Sequence, residues 1–119
     1  MLKIDKYKQI YLACGQTDMR QSINGLMMIV QNSFKLDPFN GALFVFCNKN
    51  RNILKILEWD QDGFWLHQKR LEVGHFKWPN AKAGAKTMSL NSEEILQLLK
   101  GPGLEQKLKR KEISGRAII

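Results

Sequence analysis

The side chains best suited to chemistry in this chain form a run of rings and cations: Trp65, His67, Lys69, Arg70, Phe76, Lys77 and Trp78. Bases stack on aromatic rings for about 1–3 kcal/mol each, and neighbouring cations neutralise phosphate, so this alternation suits a nucleic-acid surface. A Trp in a small domain also serves as core; Trp59 is read that way, while Trp65 and Trp78 fit either role. A second basic run, Lys107, Lys109, Arg110 and Lys111, has the pattern of an arm that grips phosphate, and equally that of a solvated segment.

Catalytic constellations are harder to assemble. A nucleotidyl-transfer centre needs about two or three carboxylates converging on divalent ions. Asp18, Asp37, Asp60 and Asp62 instead sit at a helix start, a turn before proline and a hairpin, where Asp has structural work. His67 and His75 have no Cys, Asp or Glu at a zinc spacing, and the chain has no GxxxxGK[ST], GxGxxG or GxSxG. The expectation is therefore no enzyme, no metal and no cofactor. A small basic nuclease would instead require His67 or His75 beside a carboxylate in a cleft. A pure protein-interaction adaptor would carry Trp65, Phe76 and Trp78 as one exposed apolar patch.

These side chains need a scaffold, and 119 residues with 44% hydrophobic content suffice for a single core. Cys14 and Cys47 are isolated and read as reduced core thiols. No run is long and apolar enough to span a bilayer, and the start lacks a secretory pattern, so a cytoplasmic protein is expected, at the nucleoid if it binds DNA. The 19 Lys and Arg against 11 Asp and Glu give +8, which favours an anionic partner. Residues 77–119 contribute +5 of this and residues 1–76 only +3.

The scaffold expected is α+β. Ile10 to Cys14 reads as a first strand closed by Gly15. Thr17 or Asp18 then caps one long helix, with Gln21 as reciprocal capping residue and Ile23, Leu26, Met27, Val30 and Phe34 on its apolar stripe. Gly25 within it marks close packing. A β-meander follows: buried Ala42–Cys47, then Ile53–Trp59, a turn at Asp60-Gln61-Asp62-Gly63 with positive φ expected at Gly63, and Phe64–Arg70. A short edge strand before Pro79 and a loop over 80–87 come next. Asn91 caps a second, shorter helix, with Glu94 completing a capping box and Leu90 stapling to Ile95. The meander and first strand form an antiparallel sheet packed on the long helix. Residues 1–103 make one domain and 104–119 a basic, flexible tail.

Gly15-Gln16-Thr17-Asp18-Met19-Arg20, Asp37-Pro38-Phe39-Asn40-Gly41 and Glu58-Trp59-Asp60-Gln61-Asp62-Gly63-Phe64-Trp65, in this order and spacing, resemble the TnpB or Orf2-type accessory protein of the "sixty-six" family of bacterial insertion sequences. The resemblance spans roughly residues 8 to 100. It implies a small non-catalytic protein encoded beside a separate transposase and needed for efficient transposition. Thr17, Asp18, Met19, Arg20, Trp59, Asp60, Asp62 and Gly63 match the family pattern without an assigned role; the tail after Gly101 departs from it. The expected partners are DNA or RNA, the cognate transposase and other insertion-sequence proteins, with homo-oligomers compatible and no membrane contact.

Overall fold

In the computed structural model, which describes residues 2–101, five strands form one sheet: β1 Ile10–Ala13, β2 Leu43–Cys47, β3 Ile53–Asp60, β4 Gly63–Arg70 and β5 Thr87–Leu90. The strand order is β4-β3-β2-β1-β5. The expected antiparallel sheet is in fact mixed, because β1 runs parallel to β2, with Ile10 opposite Leu43 and Leu12 opposite Val45. A parallel neighbour requires a crossover, and residues 14–42 supply it. The remaining pairings are antiparallel.

The wholly apolar β2 is buried along its length because both faces of the sheet are covered. On one face Ala13, Phe44, Phe46 and Leu57 meet Leu26 and Val30 from the crossover. On the other, Leu12, Val45, Cys47, Leu54 and Ile56 meet Ile95 and Leu98. Burial of each large apolar side chain stabilises by about 1.5–3 kcal/mol, so these two layers carry the fold.

The one long helix is not formed. The crossover holds six α-helical residues, α1 Ile23–Met28, that widen into a π-helical stretch, Ile29–Ser33. Neither Thr17 nor Asp18 caps it; Ser22 occupies the N-cap with no side-chain bond. The residues before Ile23 form a loop that is bonded to β3. Lys55 is 8% exposed and its Nζ donates to the carbonyls of Met19 (2.7 Å) and Gln21 (3.0 Å). These bonds tie residues 19–21 to β3, ahead of the helix that starts at Ile23. A Cβ added at Gly25 would meet the Gln21 side chain first.

The segment 75–78 does not form the expected edge strand. Phe76 is instead buried, its N–H donating to Arg51 O at 2.7 Å, and β5 takes the edge beside β1. The hairpin between β3 and β4 forms as expected, with Trp59 opposite Phe64 and Asp60 opposite Gly63. Positive φ falls on Gln61 (53°) and not on Gly63. The second helix, α2 Ser92–Leu99, has the full capping box: Glu94 N donates to Asn91 Oδ1 (2.8 Å) and Asn91 N donates to Glu94 Oε1 (2.9 Å). Gly101, at φ 74°, follows its end. No helix among the described residues is long and apolar enough to cross a membrane.

Candidate nucleic-acid interface

The strand directions decide which loops meet. β1, β2 and β4 end, and β3 and β5 begin, at the same end of the sheet, since Cys47 lies opposite Leu54, Ile53 opposite Arg70 and Ala13 opposite Thr87. Three connections gather there: the loop 14–22, the turn 48–52 and the segment 71–86. With Arg70 they carry Arg20, Lys49, Arg51, Lys77, Lys82 and Lys86, against only two carboxylates, Asp18 and Glu72. Both are already paired, Asp18 with Arg20 at 2.7 Å and Glu72 with Arg70 at 3.0 Å. The other seven carboxylates of the described residues are Asp5, Asp37, Glu58, Asp60, Asp62, Glu93 and Glu94. They precede β1 or β2, flank the β3–β4 turn, or sit in the first turn of α2, all at the far end. The sheet thus separates charge along its strands.

The basic end is built, not frayed. Arg51 Nη1 donates to Gly15 O (2.9 Å) and its guanidinium lies 5.4 Å from the Trp78 ring. Trp78 Nε1 donates to Ala13 O (3.1 Å), and a His75 ring nitrogen meets Asn50 O at 2.6 Å. Asn48 Oδ1 accepts from the N–H groups of Asn52 and Ile53, which fixes the 48–52 turn. Thr17 N donates to Cys47 O (2.8 Å), anchoring the 14–22 loop to the end of β2. A cleft of about 500 Å³ between this loop and the turn is lined by Thr17, Asp18, Met19, Arg20, Asn48 and Lys49. Behind the loop a second, of about 380 Å³, is lined by Cys14, Phe34 and Lys86 among others. Hydrogen bonds from Arg20 hold the Asp18 carboxyl down at about 2. Burial pushes the Cys47 and Cys14 thiols up.

The aromatic and basic residues singled out from the sequence are divided by this geometry. Lys77, Trp78 and Arg70 lie at the basic end. Trp65 lies opposite Glu58, at the other end, 47% exposed, with Nε1 donating to Asp60 Oδ2 (3.0 Å) and its ring stacked on His67. Lys69 Nζ donates to Leu99 O (2.6 Å), closing the C-terminus of α2. Lys107, Lys109, Arg110 and Lys111 lie outside the described residues. Of the family-motif residues, Thr17, Asp18, Met19 and Arg20 line the cleft, and Trp59 packs edge-on against Phe39 and Phe64. Asp60, Asp62 and Gly63 form the hairpin turn.

The marks of the two rival readings can be read directly. Phe76 is 2% exposed and Trp78 is half-buried, so they do not join Trp65 in one exposed patch. His67 does have a carboxylate neighbour, with Nε2 3.5 Å from Glu58 Oε1. That carboxylate is only 6% exposed, and its other oxygen is held by Lys8 at 2.8 Å. Among the described residues no three His, Cys, Asp or Glu side chains form a group that could hold a metal ion. Sequence reasoning missed Lys49, Arg51, Lys82 and Lys86 as one surface. Nothing local in the Asn-rich run 48–52 says which other loops it meets.

The family described as IS66 Orf2 like protein matches residues 8–109. The chain is also similar to two proteins of Sinorhizobium fredii (strain NBRC 101917 / NGR234), both described as uncharacterized. It is 37% identical to y4hO over 101 residues, covering 85% of this chain and 86% of the relative. It is 38% identical to y4jC over 93 residues, covering 78% of each. No solved structure matches the chain.

Proposed function

Because the chain belongs to the IS66 Orf2-like family of insertion-sequence accessory proteins, we propose that it assists transposition without catalysing it, by holding nucleic acid at the basic end of its sheet and working beside the separately encoded transposase. The observation that carries this reading is the separation of charge: six cations on converging connections and Arg70 at the end of β4, with both local carboxylates already paired. Phosphate binding releases condensed counterions, so such a surface suits duplex backbone and needs no base contacts. Trp78, held between Arg51 and the Ala13 carbonyl, orients the connection that carries Lys77.

The test is binding to duplex DNA across a salt series. The logarithm of affinity should fall with the logarithm of salt by about 0.9 per phosphate neutralised. Changing Lys49, Lys77 and Lys82 together to Ala should lower affinity for all sequences and flatten the slope by up to about three contacts' worth. Changing Lys3 and Lys6, at the opposite end, should do neither. Replacing Lys107, Lys109, Arg110 and Lys111 by Ala measures the tail's share separately. If the wild-type protein shows no salt-dependent binding to any DNA or RNA at low ionic strength yet captures the transposase, the phosphate reading fails and a protein-only adaptor replaces it.

A further inference from the structure

We propose that two copies of this chain pair antiparallel along β4 and join their sheets into one. This stands apart from the nucleic-acid reading and rests on the edge itself. Among the described residues no strand pairs with the outer side of β4, which is eight residues long. Natural edge strands are usually guarded by proline, bulges, charges or short length. The first half of β4, Gly63-Phe64-Trp65-Leu66, has no charge or proline.

The backbone groups available are set by the hairpin. Asp60 and Gly63 close a two-residue connection and exchange backbone hydrogen bonds, so Trp65, His67 and Lys69 continue the bonded set toward β3. Phe64, Leu66, Gln68 and Arg70 therefore turn their N–H and C=O groups outward. Antiparallel pairing of two such edges juxtaposes unlike ends. One end of the strand adjoins Asp60 and Asp62; the other carries Lys69 and Arg70.

The register centred on Leu66 uses this complementarity. Leu66 then faces Leu66 of the second copy, Trp65 faces its His67, and Asp62 faces its Arg70, twice by symmetry. Arg70 can change partners at low cost, because its bond to Glu72 is an exposed surface pair. Phe64 and Leu66, half-buried on the α1 face, extend their apolar row across the junction. The two basic ends point in opposite directions, since the paired strands do.

Sedimentation velocity on the full chain over a range of micromolar concentrations tests this. The expected result is a concentration-dependent monomer–dimer equilibrium. Gln68→Pro removes an outward N–H and spares the ladder to β3, so it should leave the melting temperature of the monomer close to wild type and abolish the dimer. His67→Pro, which breaks that ladder, should instead unfold the chain. Asp62→Arg should weaken dimerisation by about tenfold, and adding Arg70→Asp should restore it. A chain that remains monomeric throughout, or a dimer unaffected by Gln68→Pro in a folded protein, overturns the proposal. A dimer lost with Gln68→Pro but indifferent to both charge changes overturns the register.

Discussion

Replacing Lys55 by Met isolates the interaction that shapes the motif loop. Met keeps an unbranched apolar stem of similar reach, so the packing of β3 beside Phe46 survives, while the ammonium disappears. Two hydrogen bonds, of 2.7 and 3.0 Å, to the carbonyls of Met19 and Gln21 are lost. Bonds from a charged donor contribute about 1.5–3 kcal/mol each. Part of that is returned, because the mutant no longer desolvates a charge and the loop carbonyls are near enough to solvent to rehydrate. A net loss of about 2 kcal/mol follows, or roughly 8 °C in melting temperature for a domain of this size. Urea unfolding should show the midpoint falling with the slope unchanged. Amide hydrogen exchange should report faster opening over residues 16–22 than over β3, since the bonds lost tie that loop alone. Unchanged stability together with unchanged exchange in the loop would refute the view that Lys55 anchors residues 14–22 to β3.

Three further outcomes follow from the geometry. Gly63→Val should fold with near wild-type stability, because Gly63 lacks positive φ and a Cβ there meets nothing within 4 Å, whereas Gln61→Val at φ 53° should lose about 1–2 kcal/mol in thermal unfolding. The Asp18 carboxyl, titrated by NMR, should have its midpoint near 2, and Arg20→Gln should move it up toward the ordinary 3.8. Its folded-state value is depressed, so its contribution to stability is present above the ordinary value and fades as pH falls toward 2; exposure of the pair keeps that contribution small. Cys47, buried with its thiol pushed up, should resist alkylation at neutral pH until the chain unfolds, and rapid labelling of the native protein would contradict its placement in the core.

The parts of this fold that were legible in the sequence are those whose causes are local. The apolar run of β2, the hairpin turn at 60–63 and the Asn91–Glu94 capping box each need only a few consecutive residues, and each formed. Where the long helix was expected to start, the chain instead forms a loop tied to β3 by Lys55, more than thirty residues away, a contact no local pattern reveals. The segment 75–78 looked like a strand because alternation signals extended backbone but not a free edge. β5 already occupies the outer side of β1, while Phe76 serves the core and its N–H is taken by Arg51. At Gly63 the composition of the turn was right and the residue bearing the strain was wrong, since a Gly in the last position of a four-residue turn does not fix which central residue goes left-handed.

The same distinction governs the candidate site. Ring and cation alternation between residues 65 and 78 suggested one surface, yet β4 carries Trp65 toward one end of the sheet and delivers the chain to the other before Lys77 and Trp78 are reached. Arg20, Lys49, Lys77 and Lys86 are spread over 67 positions of sequence, with carboxylates interspersed, and no window of the chain isolates them. They converge only because β1 and β2 are parallel, so that both strands release their loops at the same end, and because the β4–β5 connection departs from and returns to that end. Had β1 paired antiparallel to β2, the loop bearing Arg20 would have emerged among Asp60, Asp62 and Glu94, and the positive field would have been divided. The crossover that the chain spends 29 residues building is thus what makes a single basic surface from cations no local pattern relates.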